Sequence, residues 1–282
     1  MTQTLRAADG TRLELEFFPL PPAPRGCVLI VHGLGEHCRR YAALAADLTA
    51  SGWQVVSYDL RGHGRSEGPR GALRQPDDLL RDLGTVIDAV RSATPAPLFL
   101  LGHSLGGVVA ARFVAEGLGP QPAPWFRSLD GLVLSSPALD PGMNIGQKLL
   151  LAVLGPLAPN LAVHNGLRPE WICRDPAVVR AYRDDPLVHY RVTPSLVRFL
   201  LDAGAEILQR AAQWAVPTLL LYAGSDRCVS PRGSAAFAAA APEMVVRTQA
   251  FPALFHEIFN EPERGEVIAV LRDWLERESS VS

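Results

Sequence analysis

Short apolar runs alternate along the chain with longer segments whose apolar residues recur every three or four positions. The runs at residues 13–17, 26–31, 53–58, 97–101, 131–134, 218–222 and 244–248 read as strands, and residues 41–50, 79–90, 105–115, 234–240 and 264–275 read as helices. This alternation predicts a mostly parallel sheet covered by helices on both faces. The clearest helix carries Leu79, Leu80, Leu83, Val86, Ile87 and Val90 as one stripe, opened by Pro76 and the acidic pair Asp77 and Asp78. The rhythm stops between residues 137 and 213, where no convincing strand is found. A structureless connection of that length does not suit a compact domain, so the interval is expected to be a helical insertion. Its last helix is marked by Thr193 as N-cap, Pro194 in the first turn and the stripe Val197, Leu200, Leu201, Gly204, Leu208 and Ala211. The expected organisation is a core of residues 1–139 and 214–282 with a cap inserted at 140–213.

Composition narrows the classes. The 282 residues are 48% hydrophobic and 20% charged, enough apolar surface for a large core, and disordered, collagen-like and coiled-coil chains are excluded. Twenty-seven basic and twenty-nine acidic residues leave a formal charge of -2, so no overall field draws the chain to nucleic acid. Cys27, Cys38, Cys173 and Cys228 show neither a C-x-x-C nor a Cys/His ligand spacing, which suits free thiols in a reducing compartment better than disulfides or a zinc site. No metal and no cofactor are indicated. The N-terminal segment carries Arg6, Asp9 and Arg12 without an apolar run, so no secretory signal is read and cytoplasmic residence is expected. Gly155, Pro156, Pro159 and Asn160 interrupt the uncharged stretch between Lys148 and Arg168, which argues against a spanning helix.

The sharpest chemical feature is Gly102-His103-Ser104-Leu105-Gly106, which follows one apolar run and opens a helix. The bare G-x-S-x-G pattern arises by chance roughly 0.1 times in such a chain, but the strand-turn-helix setting removes most chance matches. The glycines permit a sharp turn that raises the Ser104 hydroxyl clear of the surface, with a helix N-terminus beneath it. A serine nucleophile needs a base and an orienting carboxylate, expected later in the chain in the order acid, then histidine. Asp226 lies just beyond the run at 218–222, and His256, the only histidine after His189, lies between the last strand and the final helix.

The oxyanion of a tetrahedral intermediate needs two backbone N–H donors. Leu105, the residue after the candidate nucleophile, supplies one, and Leu34, flanked by Gly33 and Gly35 after an early strand, is assigned the other. His63 and His103 are read as hydrogen-bonded packing residues, and Cys228 as a small buried filler rather than a second nucleophile. His164 and His189, in the insertion, are weaker candidates for substrate contact.

Together, His32-Gly33-Leu34-Gly35-Glu36-His37, Asp59-Leu60-Arg61-Gly62-His63-Gly64-Arg65-Ser66-Glu67-Gly68, Gly102-His103-Ser104-Leu105-Gly106-Gly107 and His256-Glu257 resemble the monoacylglycerol lipase and lysophospholipase family of α/β-hydrolases. Asp185-Pro186-Leu187 is similar to that family's cap. The resemblance implies an α/β-hydrolase fold, a Ser104, Asp226, His256 triad, an oxyanion hole from the N–H groups of Leu34 and Leu105, and a helical cap over an apolar acyl tunnel. The expected activity is serine ester hydrolysis of a monoacylglycerol or similar single-chain acyl ester. The apolar stretches at 149–157 and 196–201 are expected to line the pocket, with transient contact between the cap and a membrane surface. A lysophospholipase, thioesterase, acyltransferase or peptidase on the same triad, and a catalytically silent ligand-binding protein on this fold, stay open at this point.

Overall fold

The computed structural model describes residues 1–94, 96–143 and 145–280, and of residues 148, 150, 153 and 154 only the backbone. Six strands precede the rhythm break: β1 (Thr2–Arg6), β2 (Arg12–Phe17), β3 (Cys27–Val31), β4 (Gln54–Tyr58), β5 (Leu98–His103) and β6 (Gly131–Ser135). The two-residue strands β7 (Val163–His164) and β8 (Arg191–Val192) pair within the interval, and β9 (Thr218–Ala223) and β10 (Val246–Phe251) follow it. The main sheet runs β1-β2-β4-β3-β5-β6-β9-β10, antiparallel through β1, β2 and β4 and parallel from β4 onward. Strands β3 to β6 are buried at every position, which is why they read as unbroken apolar runs.

Successive strand residues face opposite sides of the sheet. Leu29, Val31, Leu98, Leu100, Leu132 and Leu134 pack with α2 (Asp78–Ala93) and α3 (Leu105–Glu116). Val28, Ile30, Phe99, Leu101 and Val133 pack on the other side with α1 (Ala42–Ala50) and the C-terminal helix Arg264–Ser279. Phe99 is held edge-on between Trp53 and Trp274, with ring centroids 5.4 and 5.6 Å away. Between β6 and β9 the chain forms α4 (Ile145–Leu154), α5 (Pro176–Asp184) and α6 (Pro194–Arg210). Thr193 caps α6 by accepting from Leu196 N, as its sequence position predicts. Helices α7 (Pro231–Ala240) and α8 (Arg264–Ser279) complete the order.

Three details depart from the periodicity reading. Strand β1 went unread because its side chains are mostly exposed and polar; it is specified by pairing with β2, from Thr2 opposite Glu16 to Arg6 opposite Arg12. The ladder of β7 and β8 lies where no strand was expected, since two residues per strand leave no period to detect. The last strand starts at Val246 rather than Met244, whose side chain is exposed.

Because β3, β5, β6, β9 and β10 are parallel, the loops after them gather at one edge of the sheet, where ligand sites of open α/β sheets form. Among the described residues no helix is long and apolar enough to cross a membrane.

Candidate active site

Ser104 is the turn between β5 and α3. Its backbone sits at φ 53°, ψ -117°, a conformation that costs a non-glycine residue about 1–3 kcal/mol and persists only where the surroundings impose it. Here Ser104 N donates to Ser135 O at 3.0 Å, and Ser104 O accepts from Val108 N and Ala138 N, both at 3.1 Å. The turn is tight because α3 approaches the sheet closely: a β-carbon on Gly106 would lie 2.1 Å from Val31 O. Only glycine fits there, which accounts for the second glycine of the motif.

Asp226 and His256 come from the loops after β9 and β10. Gly224 N donates to Phe251 O at 2.8 Å and Ser225 Oγ to Pro252 O at 2.8 Å, so the two loops are stitched together. His256 Nδ1 then meets Asp226 Oδ2 at 2.6 Å, both side chains almost wholly buried. The other carboxylate oxygen accepts from Cys228 N at 2.8 Å and Val229 N at 3.1 Å. Burial alone would raise the Asp226 carboxyl, but His256 and these amides outweigh it and hold it below the usual range. Burial likewise acts to lower the His256 imidazole, yet the Asp226 carboxylate, with Glu257 and Glu36 behind it, holds it above its ordinary value. The His103 ring lies 4.7 Å from the His256 ring, centroid to centroid, so the serine turn and the histidine loop adjoin. A ring so placed, with its proton held on Nδ1 by a carboxylate, presents Nε2 as a base.

The loop after β3 completes the edge. A β-carbon on Gly33 would lie 3.1 Å from Ser104 Cβ, so this loop runs directly beside the serine. Gly33 N is already engaged by Glu36 Oε1 at 2.6 Å. Leu105 begins α3, and first-turn N–H groups have no acceptor inside their own helix. His32 accepts from Leu60 N through Nε2 at 2.9 Å, which leaves Nδ1 to donate to Gly33 O at 2.8 Å and sets the loop's orientation.

Behind the site lies a buried ion network that the motif reading left without a role. Arg40 donates to Glu36 Oε2 at 2.6 Å and, through two nitrogens, to Glu257 at 2.6 and 2.8 Å. Tyr41 Oη donates to Glu36 at 2.8 Å, and Arg40 covers the Tyr182 ring at 4.6 Å. Despite burial, which would raise it, Glu36 is held well below the usual carboxylate range, chiefly by Arg40. One guanidinium thus joins the serine-side loop, the histidine loop and α5. The sequence signal was present, since Glu36 and Glu257 fall inside the recognised motifs and Arg40 follows Glu36 by four, but nothing in the order of residues pairs positions 40 and 257.

His103 Nδ1 contacts Ser135 O at 3.1 Å, and His63 Nδ1 contacts Arg61 O at 3.0 Å, so both are hydrogen-bonded packing residues. His189 lies tilted against His63, ring centroids 4.7 Å apart, and its N donates to Gly35 O at 2.8 Å. Burial and the adjacent Asp226 push the Cys228 thiol up, which disfavours the thiolate and so a nucleophilic role. Its sulfur nevertheless belongs with Asp226 and His256 to a group of metal-capable donors whose atoms lie within 4.8 Å of one another.

A parallel sheet with a serine held in a strained strand-to-helix turn at its carboxyl edge, and an aspartate–histidine pair on later loops, places the chain in the class of serine α/β-hydrolases. The sequence profile of the family described as serine aminopeptidase, S33, matches residues 22–263, and the chain belongs to that family. It is 34% identical over 270 residues to a monoacylglycerol lipase of Mycolicibacterium smegmatis, covering 94% of this chain and 93% of that protein. It is 32% identical over 252 residues to a phospholipase of Bacillus subtilis, covering 88% and 94%. Among solved structures, the monoacylglycerol lipase of Paleococcus ferrophilus superposes with a TM-score of 0.83 at 32% identity, over 94% of this chain and 99% of that one.

Proposed function

We propose that this protein hydrolyses monoacylglycerols or similar single-chain acyl esters through an acyl-enzyme formed on Ser104. Ser104 Oγ attacks the acyl carbonyl while His256 Nε2 takes its proton and passes it to the leaving alcohol. Asp226 holds the Nδ1 proton and stabilises the imidazolium. The N–H groups of Leu34 and Leu105 receive the developing oxyanion, each contributing about 3 kcal/mol to transition-state stabilisation. A water activated by His256 then releases the fatty acid, and the cycle needs no cofactor. The observation that carries this reading is the 2.6 Å Asp226–His256 pair on loops stitched to one another, beside the strained Ser104 turn. The monoacylglycerol lipase and phospholipase relatives supply the substrate class.

In this reading residues 140–213 act as a cap. Leu196, Phe199 and Leu200 of α6 are buried against the core, while Ile145, Leu149, Leu157 and Leu161 are 85%, 64%, 79% and 60% exposed. The side chains of Leu150, Val153 and Leu154, also assigned to the pocket lining from sequence, lie outside the described residues. The exposed set is suited to transient contact with a lipid surface from which the substrate is drawn.

Fluorophosphonate labelling followed by turnover on an acyl-ester series tests the assignment. Wild type should label, and Ser104→Ala should abolish labelling and lower turnover by roughly 10⁴-fold or more. Labelling that survives the substitution overturns the nucleophile; a strong preference for acetyl over octanoyl esters overturns the lipid substrate.

A further inference from the structure

We infer that an open cavity apart from the triad binds the headgroup of a zwitterionic phospholipid of the phosphocholine type, and so seats the protein on a phosphatidylcholine surface. The cavity holds about 510 Å³, within the roughly 300–1,000 Å³ of ligand pockets, and none of Ser104, Asp226 and His256 lines it. Its walls are residues 73–77 before α2, the C-terminal half of α3 and residues 194–206 of α6, with Gly155, Pro159 and Asn160 along one side. Ser195 ties three of these segments together. Its N donates to Pro159 O at 2.9 Å, and its Oγ donates to Asn160 Oδ1 at 3.3 Å and accepts from Leu73 N at 3.3 Å. The buried Leu80, Phe199 and Ala203 form its apolar side.

The charges around the cavity select its occupant. Arg112 is engaged within the wall, meeting Glu116 at 2.9 Å and Glu206 at 2.7 Å and lying 6.0 Å from the Trp125 ring centroid. Asp77 is held by Arg81 at 2.7 Å. Arg74, Arg198 and Asp202 also line the cavity; they are exposed and form no ion pair among the described residues. Arg198 and Asp202 stand one helical turn apart, so their side chains leave α6 about 5–6 Å apart at Cβ. A guanidinium and a carboxylate so spaced match a phosphodiester joined through an ethylene bridge to a quaternary ammonium, with Arg74 a second donor to the phosphate from another wall. Trp125, the kind of ring that often receives such a cation, already carries Arg112, so the carboxylate takes that part. An anionic surface is recognised by clustered basic residues instead, and here Asp202 and the formal charge of -2 oppose it. Leu157 and Leu161 flank Pro159 and Asn160 and are exposed. On a bilayer such side chains enter the boundary between headgroups and acyl chains, which brings the adjoining cavity to headgroup depth. The inference rests on the lipid-surface contact proposed for this exposed set and adds the class of lipid.

The test has two arms, both on the full-length protein. Glycerophosphocholine, a soluble headgroup without acyl chains, is titrated and followed by its choline methyl signal in NMR. Co-sedimentation is measured with vesicles of phosphatidylcholine or of phosphatidylglycerol. Wild type should bind glycerophosphocholine saturably and should sediment with phosphatidylcholine at least about threefold better than with phosphatidylglycerol. Arg198→Glu and Asp202→Lys should each weaken glycerophosphocholine binding at least about threefold, the scale of one exposed charge contact, and lower sedimentation with phosphatidylcholine. Both positions are exposed on α6, so thermal unfolding and turnover of a soluble short-chain ester should stay as in wild type. Leu157→Ser should lower sedimentation yet leave glycerophosphocholine binding unchanged. Absence of saturable binding, or binding undiminished in either charge variant, overturns the site, as does sedimentation with phosphatidylglycerol that equals or exceeds that with phosphatidylcholine. Saturable binding that depends on Arg198 and Asp202, in a protein that sediments with neither vesicle, overturns the surface contact and leaves the headgroup site standing.

Discussion

The segment between β6 and β9 has two parts built on opposite terms. Its later part, residues 169–193, grips the candidate catalytic edge through polar groups. Ile172 O accepts from Glu257 N at 2.8 Å, Arg174 N donates to Glu261 at 2.6 Å, and Asp185 meets His37 Nε2 at 2.8 Å. His189 N is bonded to Gly35 O, Thr193 is bonded to Gly71 O by its N and its hydroxyl, and Tyr182 lies under Arg40. Its earlier part, residues 145–165, instead turns Ile145, Leu149, Leu157, Leu161 and Val163 to solvent. One part therefore braces the loops that carry the candidate base and oxyanion donor, while the other leaves these apolar side chains exposed.

The largest effect expected from breaking this contrast comes from Arg40→Met. It strands the buried Glu36 and Glu257 carboxylates without their cation and should cost about 3–5 kcal/mol in urea denaturation. Glu257→Gln in the same chain should recover part of that loss. A cost below about 1 kcal/mol would mean that the brace does not depend on the ion network.

Acid should loosen the braced part next. His189 is lowered from 6.5 to about 4, first by burial and then by Arg70, His32 and Arg191, with the Gly62 carbonyl acting in the other direction. His63, beside it, is also lowered, by burial and by the neighbouring His32 and His189. The unfolded chain binds more protons than the folded one between these values, so this contribution is complete above about pH 6.5 and lost as pH falls toward about 4. Chemical denaturation across that window should show stability falling as pH falls, and His189→Asn should flatten the slope. An unchanged slope would remove His189 from the brace.

Asp185→Asn removes the charge facing His37 at the rim, where the carboxylate is partly solvated, and should cost about 1 kcal/mol in thermal unfolding. The smallest effect belongs to the exposed part. Ile145→Ser and Leu157→Ser should change stability by no more than about 0.5 kcal/mol, yet reduce co-sedimentation with phosphatidylcholine vesicles. A stability loss above about 1 kcal/mol would show these side chains to be core residues, and unchanged vesicle binding would detach them from lipid.

Much of the sheet was legible because a strand buried on both faces has to be apolar throughout, and Leu29, Ile30, Leu100 and Leu101 say so locally. Ser104, Asp226 and His256 could be singled out as candidates because each follows such a run in a loop and their chain order suits one reaction. Strand β1 was not, since its partner rather than its own hydrophobicity defines it. Arg40 also escaped, because an ion pair across 217 positions leaves no mark in local spacing. Cys228 was read as filler, and in isolation it is one; only the convergence of two loops sets its sulfur beside a carboxylate and an imidazole.

By itself the amino-acid sequence determined the class of sheet, the elbow at Ser104, the capped start of α6 and which residue types could perform acyl transfer. Those are consequences of periodicity, turn chemistry and order, which act over a few residues. The tertiary structure alone decided which carboxylates share Arg40, which half of the segment between β6 and β9 is braced and which is exposed, and what stands next to Asp226. Those depend on distances between segments far apart in the chain, which the packing of the sheet and its helices sets and local preference does not encode.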